Sequence, residues 1–160
     1  MTGTVDFDTV FSVEYPCVLR TVFLICHDSQ LAQDVTQDAF VELLRHWENV
    51  RHHDRPGAWV RRVAIRRLMR VLHRDGRRRD AERTFEPCSA PEPADVDVLL
   101  ALREVSPRQR AALVLHYFED LPIHDIADLL GCSASSAAVH VHRGRARLRS
   151  LLREVAPDGR

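Results

Sequence analysis

The chain has 160 residues, of which 45% are hydrophobic and 29% are charged, and its formal net charge at pH 7 is zero. This composition is typical of a soluble globular protein and excludes a disordered chain. We find no apolar run near the ~18 residues of a membrane span, and the acidic N-terminus lacks the basic start of a secretory signal. The sequence therefore predicts a cytoplasmic protein with no membrane insertion.

The charges are segregated along the chain although they sum to zero. Residues 1–50 carry eight acids and two arginines, whereas residues 51–83 carry four acids and twelve arginines. The alternation then repeats, since residues 84–130 have nine acids against three arginines and residues 131–160 have two against six. This pattern predicts two modules, each with one face for a cationic partner and one for an anion.

The first module is predicted to be helical, because its apolar residues recur at intervals of three and four. Pro16 is predicted to begin one of the early helices, since proline suits the first helical turn. The next amphipathic helix contains the apolar residues from Leu31 to Trp47. A third helix is predicted from about Ala58 to Arg74, and we expect the helices to share one core.

These helices carry two charged surfaces. Carboxylates four residues apart form an acidic face on one helix: Asp34, Asp38 and Glu42. Arginines at the same interval form an arginine stripe on the next, and two more widen it: Arg62, Arg66, Arg70 and Arg74, with Arg61 and Arg67. The acidic face is either plain solvated surface or a contact for a basic partner. The arginine stripe favours phosphate contact, with Trp59 at its head either stacking on a base or packing in the core.

Residues 84–94 carry three prolines and no helical period, which indicates a flexible linker. We place the first domain at residues 1–78, the linker at 79–96 and the second domain at 97–155. Helices are predicted within the second domain and its approach, at residues 95–104, 107–118, 122–130 and 134–153. The fold class is therefore all-α, with two small helical domains joined by the linker.

Residues 121–141, LPIHDIADLLGCSASSAAVHV, fit the two-helix pattern of a helix-turn-helix. Gly131 is placed to make the turn, Ser106 to cap the helix that begins at Pro107, and Ala127 to let the two helices touch. The segment RGRARLR follows directly, which favours DNA binding over a merely solvated basic helix. Neither a phosphate loop, nor a nucleophile motif, nor a zinc-type histidine pair is present. We therefore predict no enzyme, no cofactor and no metal site.

Three segments together are similar to the extracytoplasmic-function (group 4) sigma factors of bacterial RNA polymerase. QDVTQDAFVELLRHW resembles the family's region 2.2, RPGAWVRRVA the start of region 2.4, and LREVSPRQRAALVLHYFEDLPIHDIADLLGCS region 4. The resemblance covers roughly residues 7–75 and 97–153. It implies a non-enzymatic factor that directs core polymerase to specific promoters and aids strand opening.

The resemblance also implies partners and site residues. The partners are the β′ coiled coil and β flap of core polymerase, promoter DNA in double-stranded and melted form, and an anti-sigma factor. The residues implied for polymerase docking are Asp34, Gln37, Asp38 and Phe40. Those implied for the −10 element are Asn49, Arg51, His53, Trp59, Arg62, Arg66, Arg67 and Arg70. Those implied for the −35 element are Ser133, Ser135, Ser136, His140, Arg143, Arg145 and Arg149.

This sequence departs from the family pattern in the helix implied for the −35 element. Ala138 and His140 stand where family members usually carry lysine and arginine. We therefore expect this helix to make few sequence-specific contacts with base edges. In region 2.4, Arg66 and Arg70 replace the usual Asn and Asp. Two alternatives stay open: a stand-alone helix-turn-helix regulator, with residues 1–75 as a sensing or dimerising domain, and a sigma-like interaction module that has lost promoter reading.

Overall fold

The computed structural model describes residues 6–75 and 93–155, and both segments are helical without strands. The helices are α1 (Phe7–Cys26), α2 (Ser29–Arg45), α3 (Trp47–Val50), α4 (Pro56–Asp75), α5 (Pro93–Arg103), α6 (Pro107–Tyr117), α7 (Ile123–Leu130) and α8 (Ala134–Val155). The chain divides into two compact units, Met1–Arg83 and Thr84–Arg160. The expected all-α class is confirmed. Most of the predicted linker lies outside the described residues, and its last four residues belong to α5.

The first unit is a bundle in which α1, α2 and α4 pack against one another. Each helix buries one apolar face, as the spacing of three and four requires. The completely buried side chains include Val18, Val22, Ile25, Ala32, Leu43, Val60, Ala64 and Leu68. The short helix α3 follows α2 after His46 and buries Val50. The bundle leaves the polar faces of α2 and α4 on the surface.

Helix α1 continues unbroken through Pro16, so the prediction that this proline begins a helix was wrong. A proline inside a helix removes one hydrogen bond and costs about 3 kcal/mol. Pro16 is exposed, while Val18, Val22 and Ile25 on α1 are buried in the bundle. The tertiary packing of these residues therefore overrides the local signal.

By length and composition α1 is also apolar enough to cross a membrane, although the sequence predicted no such segment. It lies near the N-terminus and packs against α2 and α4. A core helix of a helical bundle meets the same two criteria, and the buried residues of α1 include Val18, Val22 and Ile25.

The second unit is built around α8, which packs against α5, α6 and α7. The two helices of the predicted helix-turn-helix, α7 and α8, pack together through apolar residues, and Ile126, Leu130 and Ala137 are buried there. Gly131 ends α7 with a left-handed φ of 64°, a conformation that glycine adopts without strain. Ser106 occupies the position before α6, but its side chain makes no capping hydrogen bond. The neighbouring turn is held instead by Arg110, whose Nη2 donates to the Val105 carbonyl at 3.1 Å.

Candidate nucleic-acid interface

Three of the four residues predicted to dock polymerase share an exposed surface of α2, which we call the docking face: Asp34, Gln37 and Asp38. Gln30 Nε2 donates to Asp34 Oδ1 at 2.9 Å and holds that carboxylate at the surface. The sequence did not indicate that apolar side chains extend this surface. Val41 and Leu44, about one and two turns further along, are 46% and 57% exposed. The docking face is thus acidic at one end and apolar at the other, as suits a partner with both chemistries.

Phe40, the fourth predicted docking residue, lies in the core and is only 3% exposed. Its ring contacts Phe11 and Tyr15 of α1, with centroid distances of 5.1 and 5.4 Å. Assignment of Phe40 as a surface contact is therefore corrected. Its place in the motif is explained by packing, because this ring fixes α2 on α1 and so positions the docking face.

Four arginines of the stripe lie along one exposed side of α4. Arg66, Arg70 and Arg74 are exposed at intervals of four residues, and Arg62 continues the row one turn earlier. Residues four apart on a helix are neighbours on one face, so the stripe is a continuous positive surface. This arrangement can follow the phosphates of a nucleic-acid strand.

The two arginines expected to widen the stripe serve a different purpose. Arg67 Nε donates to Glu42 Oε2 at 3.1 Å, and Arg67 Nη1 lies 3.7 Å from Asp38 Oδ2. Arg61 Nη2 donates to Glu14 Oε2 at 2.7 Å. Both side chains are about one-third exposed and tie α4 to the other helices. The assignment of Arg67 to DNA is therefore corrected, since α2 carboxylates already engage its guanidinium group.

Trp59 stands at the head of the stripe and is half-buried, between the two alternatives that the sequence left open. Its ring lies 6.0 Å from that of His46, which the sequence did not single out. Asn49 on α3, and Arg51 and His53 in the loop before α4, were also predicted for the −10 element. Asn49 and His53 are exposed, whereas Arg51 is half-buried and pairs with Glu48 at 3.6 Å.

The N-terminus of α8 carries the serines predicted to contact the −35 element. Ser133 Oγ accepts the Ser136 N–H at 3.1 Å, which makes Ser133 the cap of this helix. The Ser133 hydroxyl also donates to Ser136 Oγ at 2.9 Å and lies 3.1 Å from Ser135 Oγ. Ser135 and Ser136 are exposed, so they remain available to a ligand, while Ser133 is committed to the helix.

His140 lies between these serines and the arginines that follow, and it is half-buried. Burial lowers the pKa of His140, and the positive charges of Arg108 and Arg143 lower this pKa further. Both causes favour the neutral imidazole. In the free protein His140 is thus a hydrogen-bonding group rather than a cation at neutral pH.

The second half of α8 is basic on its exposed side. Arg143, Arg145 and Arg149 all face solvent, as predicted for phosphate contacts. Arg145 Nη1 lies 3.3 Å from the Tyr117 hydroxyl, which accepts a hydrogen bond from it. Tyr117, at the end of α6, was not indicated by the sequence, and its exposed ring gives no periodic signal.

Comparison with known proteins connects these surfaces to one family. The family profile described as Sigma-70 region 2 matches residues 10–79, and that described as Sigma-70, region 4 matches residues 95–148. The RNA polymerase sigma factor CarQ of Myxococcus xanthus is 30% identical over 158 residues, which cover 93% of this chain and 90% of CarQ. The ECF RNA polymerase sigma factor SigE of Mycolicibacterium smegmatis is 28% identical; the match covers 84% of this chain and 57% of SigE.

A solved structure shares the fold. The sigma factor RpoE of Bartonella quintana, solved in complex with the anti-sigma factor NepR, matches with a TM-score of 0.73. The sequences are 20% identical, and the match covers 92% of this chain and 97% of that one. At this identity the likeness speaks for the helical architecture alone.

Proposed function

The chain belongs to the extracytoplasmic-function group of the sigma-70 family of RNA polymerase sigma factors, and from this we propose a role for each of its two units in promoter recognition. Its function is that of a sigma factor, which directs core polymerase to specific promoters and aids strand opening. The protein acts by binding and not by catalysis, in the cytoplasm with the polymerase.

The two domains take different parts of this task. Residues 1–78 bind core polymerase and engage the −10 element, residues 79–96 connect the domains, and residues 97–155 engage the −35 element. The β′ coiled coil binds the docking face on α2, and the β flap binds the second domain. The melted −10 strand follows Arg62, Arg66 and Arg70, with Asn49, His53 and Trp59 at the head of this path.

One observation carries the proposal. In the first unit a surface with two carboxylates and an arginine stripe are both exposed on one small bundle, on α2 and α4 respectively. A stand-alone regulator needs only its helix-turn-helix to bind DNA and has no use for a second cationic surface. A sigma factor needs both, because it must hold polymerase and single-stranded DNA with the same domain.

An anti-sigma factor is proposed as a further partner. RpoE of Bartonella quintana was solved with such a factor. This chain exposes large apolar side chains on each unit, such as Val13 at 60% and Leu44 at 57% in the first, and Phe118 at 49% in the second. Exposed apolar surface of this kind is commonly covered by a protein partner.

Transcription with purified core polymerase tests the proposed function directly. Two promoter libraries, one randomised at the −10 element and one at the −35 element, are transcribed with and without this protein. We expect factor-dependent transcripts, a sharp consensus at −10 and a tolerant sequence at −35. The tolerance follows from exposed Ala138 and Val139, which offer no hydrogen bond to a base edge. A sharp −35 consensus, lost when Ser135 or Ser136 is replaced by alanine, would contradict the expectation that α8 makes few sequence-specific contacts.

Restoring a cation in the first turns of α8 is expected to tighten upstream DNA binding. Ala138→Lys introduces a polar contact at an exposed position, and one such contact is worth about 1–3 kcal/mol, or about 5- to 150-fold in affinity. Ala146→Lys is the matched control, because Ala146 is also exposed and lies about two turns later on the same helix. Affinity of holoenzyme for a duplex −35 fragment is the measurement. Equal gains from the two variants would reveal only a general charge effect.

A further inference from the structure

Helices α6 and α8 approach each other closely at Gly144. A Cβ atom at this position would lie 3.0 Å from Leu113 Cγ and 3.1 Å from the carbonyl oxygen of Gln109. Real Cβ atoms seldom come so near to other heavy atoms, so the lack of a side chain permits the contact. The first turn of α6 is thereby held against the middle of α8.

Two arginines flank this point of contact. Arg108 precedes Gln109 on α6, Arg143 precedes Gly144 on α8, and both side chains are exposed. His140 lies one turn before Arg143. Burial lowers the pKa of His140, and the positive charges of Arg108 and Arg143 lower it further. Within residues 6–75 and 93–155, no carboxylate forms an ion pair with Arg108 or Arg143. Arg108 and Arg143, on two helices, thus both lie near enough to His140 to affect its charge, and none of the three has a counter-charge among these residues.

We propose that Arg108 is a DNA-contacting residue, which forms with Arg143 and His140 a phosphate-binding cluster that bridges α6 and α8. This inference rests on the proposed function of α8 as the helix that binds duplex DNA. The occupant is a backbone phosphate of the duplex, because uncompensated guanidinium groups bind phosphate well and often bidentately. Ser136, one turn before His140, is exposed and extends this surface toward the N-terminus of α8.

The cluster explains how the upstream helix can hold DNA although its first turns offer few base contacts. A phosphate contact fixes the protein on the duplex without reading sequence. A phosphate beside His140 also favours the charged imidazolium, because an anion nearby stabilises it. A bound phosphate would therefore oppose the lowering of the His140 pKa by Arg108 and Arg143.

The salt dependence of holoenzyme binding to a duplex promoter fragment tests the proposal. Arg108→Gln is expected to reduce the slope of log K against log [salt] by ~0.9, the value for one lost phosphate contact in B-DNA. The same substitution is expected to weaken holoenzyme binding equally at promoters with different −35 sequences. Arg153→Gln is the control for an exposed arginine outside the cluster. Arg153 lies ten residues after Arg143 on α8, which is about 15 Å along the helix axis at 1.5 Å per residue. This control should leave the slope unchanged.

Two further measurements separate the possible failures. NMR titration of the full chain should show that Arg108→Gln raises the pKa of His140, and an unchanged pKa would overturn the cluster geometry. Arg143→Gln should flatten the salt slope as Arg108→Gln does. If only Arg143→Gln does so, Arg108 is not a DNA contact while the proposed role of α8 stands. If neither variant changes the salt slope and the −35 fragment is not bound, both the phosphate-binding cluster and the proposed role of α8 are wrong.

Discussion

Replacing Asp34 and Asp38 by arginine is expected to prevent stable association of the factor with core polymerase. Both carboxylates are exposed on the docking face of α2. Charge reversal would set like charges against a basic partner helix, and such juxtapositions cost several kcal/mol. We expect a loss of about 2–5 kcal/mol in binding free energy, measured by co-purification and by titration of core polymerase with the labelled factor.

The two positions differ in what else they touch, which determines the controls. Asp38 lies 3.7 Å from Arg67, so arginine at this position also disturbs the tie between α2 and α4. The Asp34 carboxylate accepts a hydrogen bond from Gln30 on its own helix and forms no ion pair with another described residue. Asp34→Arg alone should therefore weaken binding with no change in the thermal unfolding midpoint, whereas Asp54→Arg, at an exposed position in the loop before α4 of the same unit, should leave polymerase binding intact. Undiminished co-purification of the Asp34→Arg variant would refute the docking assignment.

Replacing Arg62 and Arg66 by alanine is expected to reduce strand opening much more than recruitment to polymerase. Each lost phosphate contact should lower the salt slope by ~0.7 for single-stranded DNA. Permanganate reactivity of the melted region reports strand opening, and co-purification reports recruitment.

The internal arginines of the same helix supply a matched comparison. Arg61 and Arg67 are paired with Glu14 and Glu42, so their replacement by alanine should destabilise the first unit and leave the salt slope unchanged. Removing one partner leaves a partly buried carboxylate without its counter-charge, which costs free energy of folding. If the Arg62 and Arg66 variant melts the promoter normally, the stripe has another role.

The sequence predicted the helical architecture well where local chemistry decides it. Gly131 was expected to end a helix, and it does so in the left-handed conformation that glycine tolerates best. The apolar residues between the two helices of the helix-turn-helix follow the spacing of three and four; Ile126, Leu130, Ala137 and Val141 are buried, while Cys132 is only partly so. Such features depend on residues a few positions apart, so a single sequence contains enough information to place them.

Errors arose where a residue's environment is set by distant parts of the chain. Phe40 belongs to a recognisable motif, but only the packing of α2 on α1 shows that its ring is internal. Arg67 shares the composition of the stripe, yet its position opposite Glu42, 25 residues earlier, draws it into an ion pair. Helical spacing assigns residues to faces of one helix, but it does not say which face a neighbouring helix covers. Arg108 escaped notice for the same reason.

The close contact at Gly144 has a consequence for how promoter preference can change over time. The buried residues Ala137 and Val141, together with Gly144, seat α8 on its neighbours. Ser135, Ala138 and the other exposed positions of the first turns contribute little to that seating. Substitutions there therefore cost little stability, since surface changes are usually worth less than ~0.5 kcal/mol. The promoters that this factor recognises can therefore change during evolution through a few substitutions at exposed positions, while the buried residues that hold α8 in place stay the same.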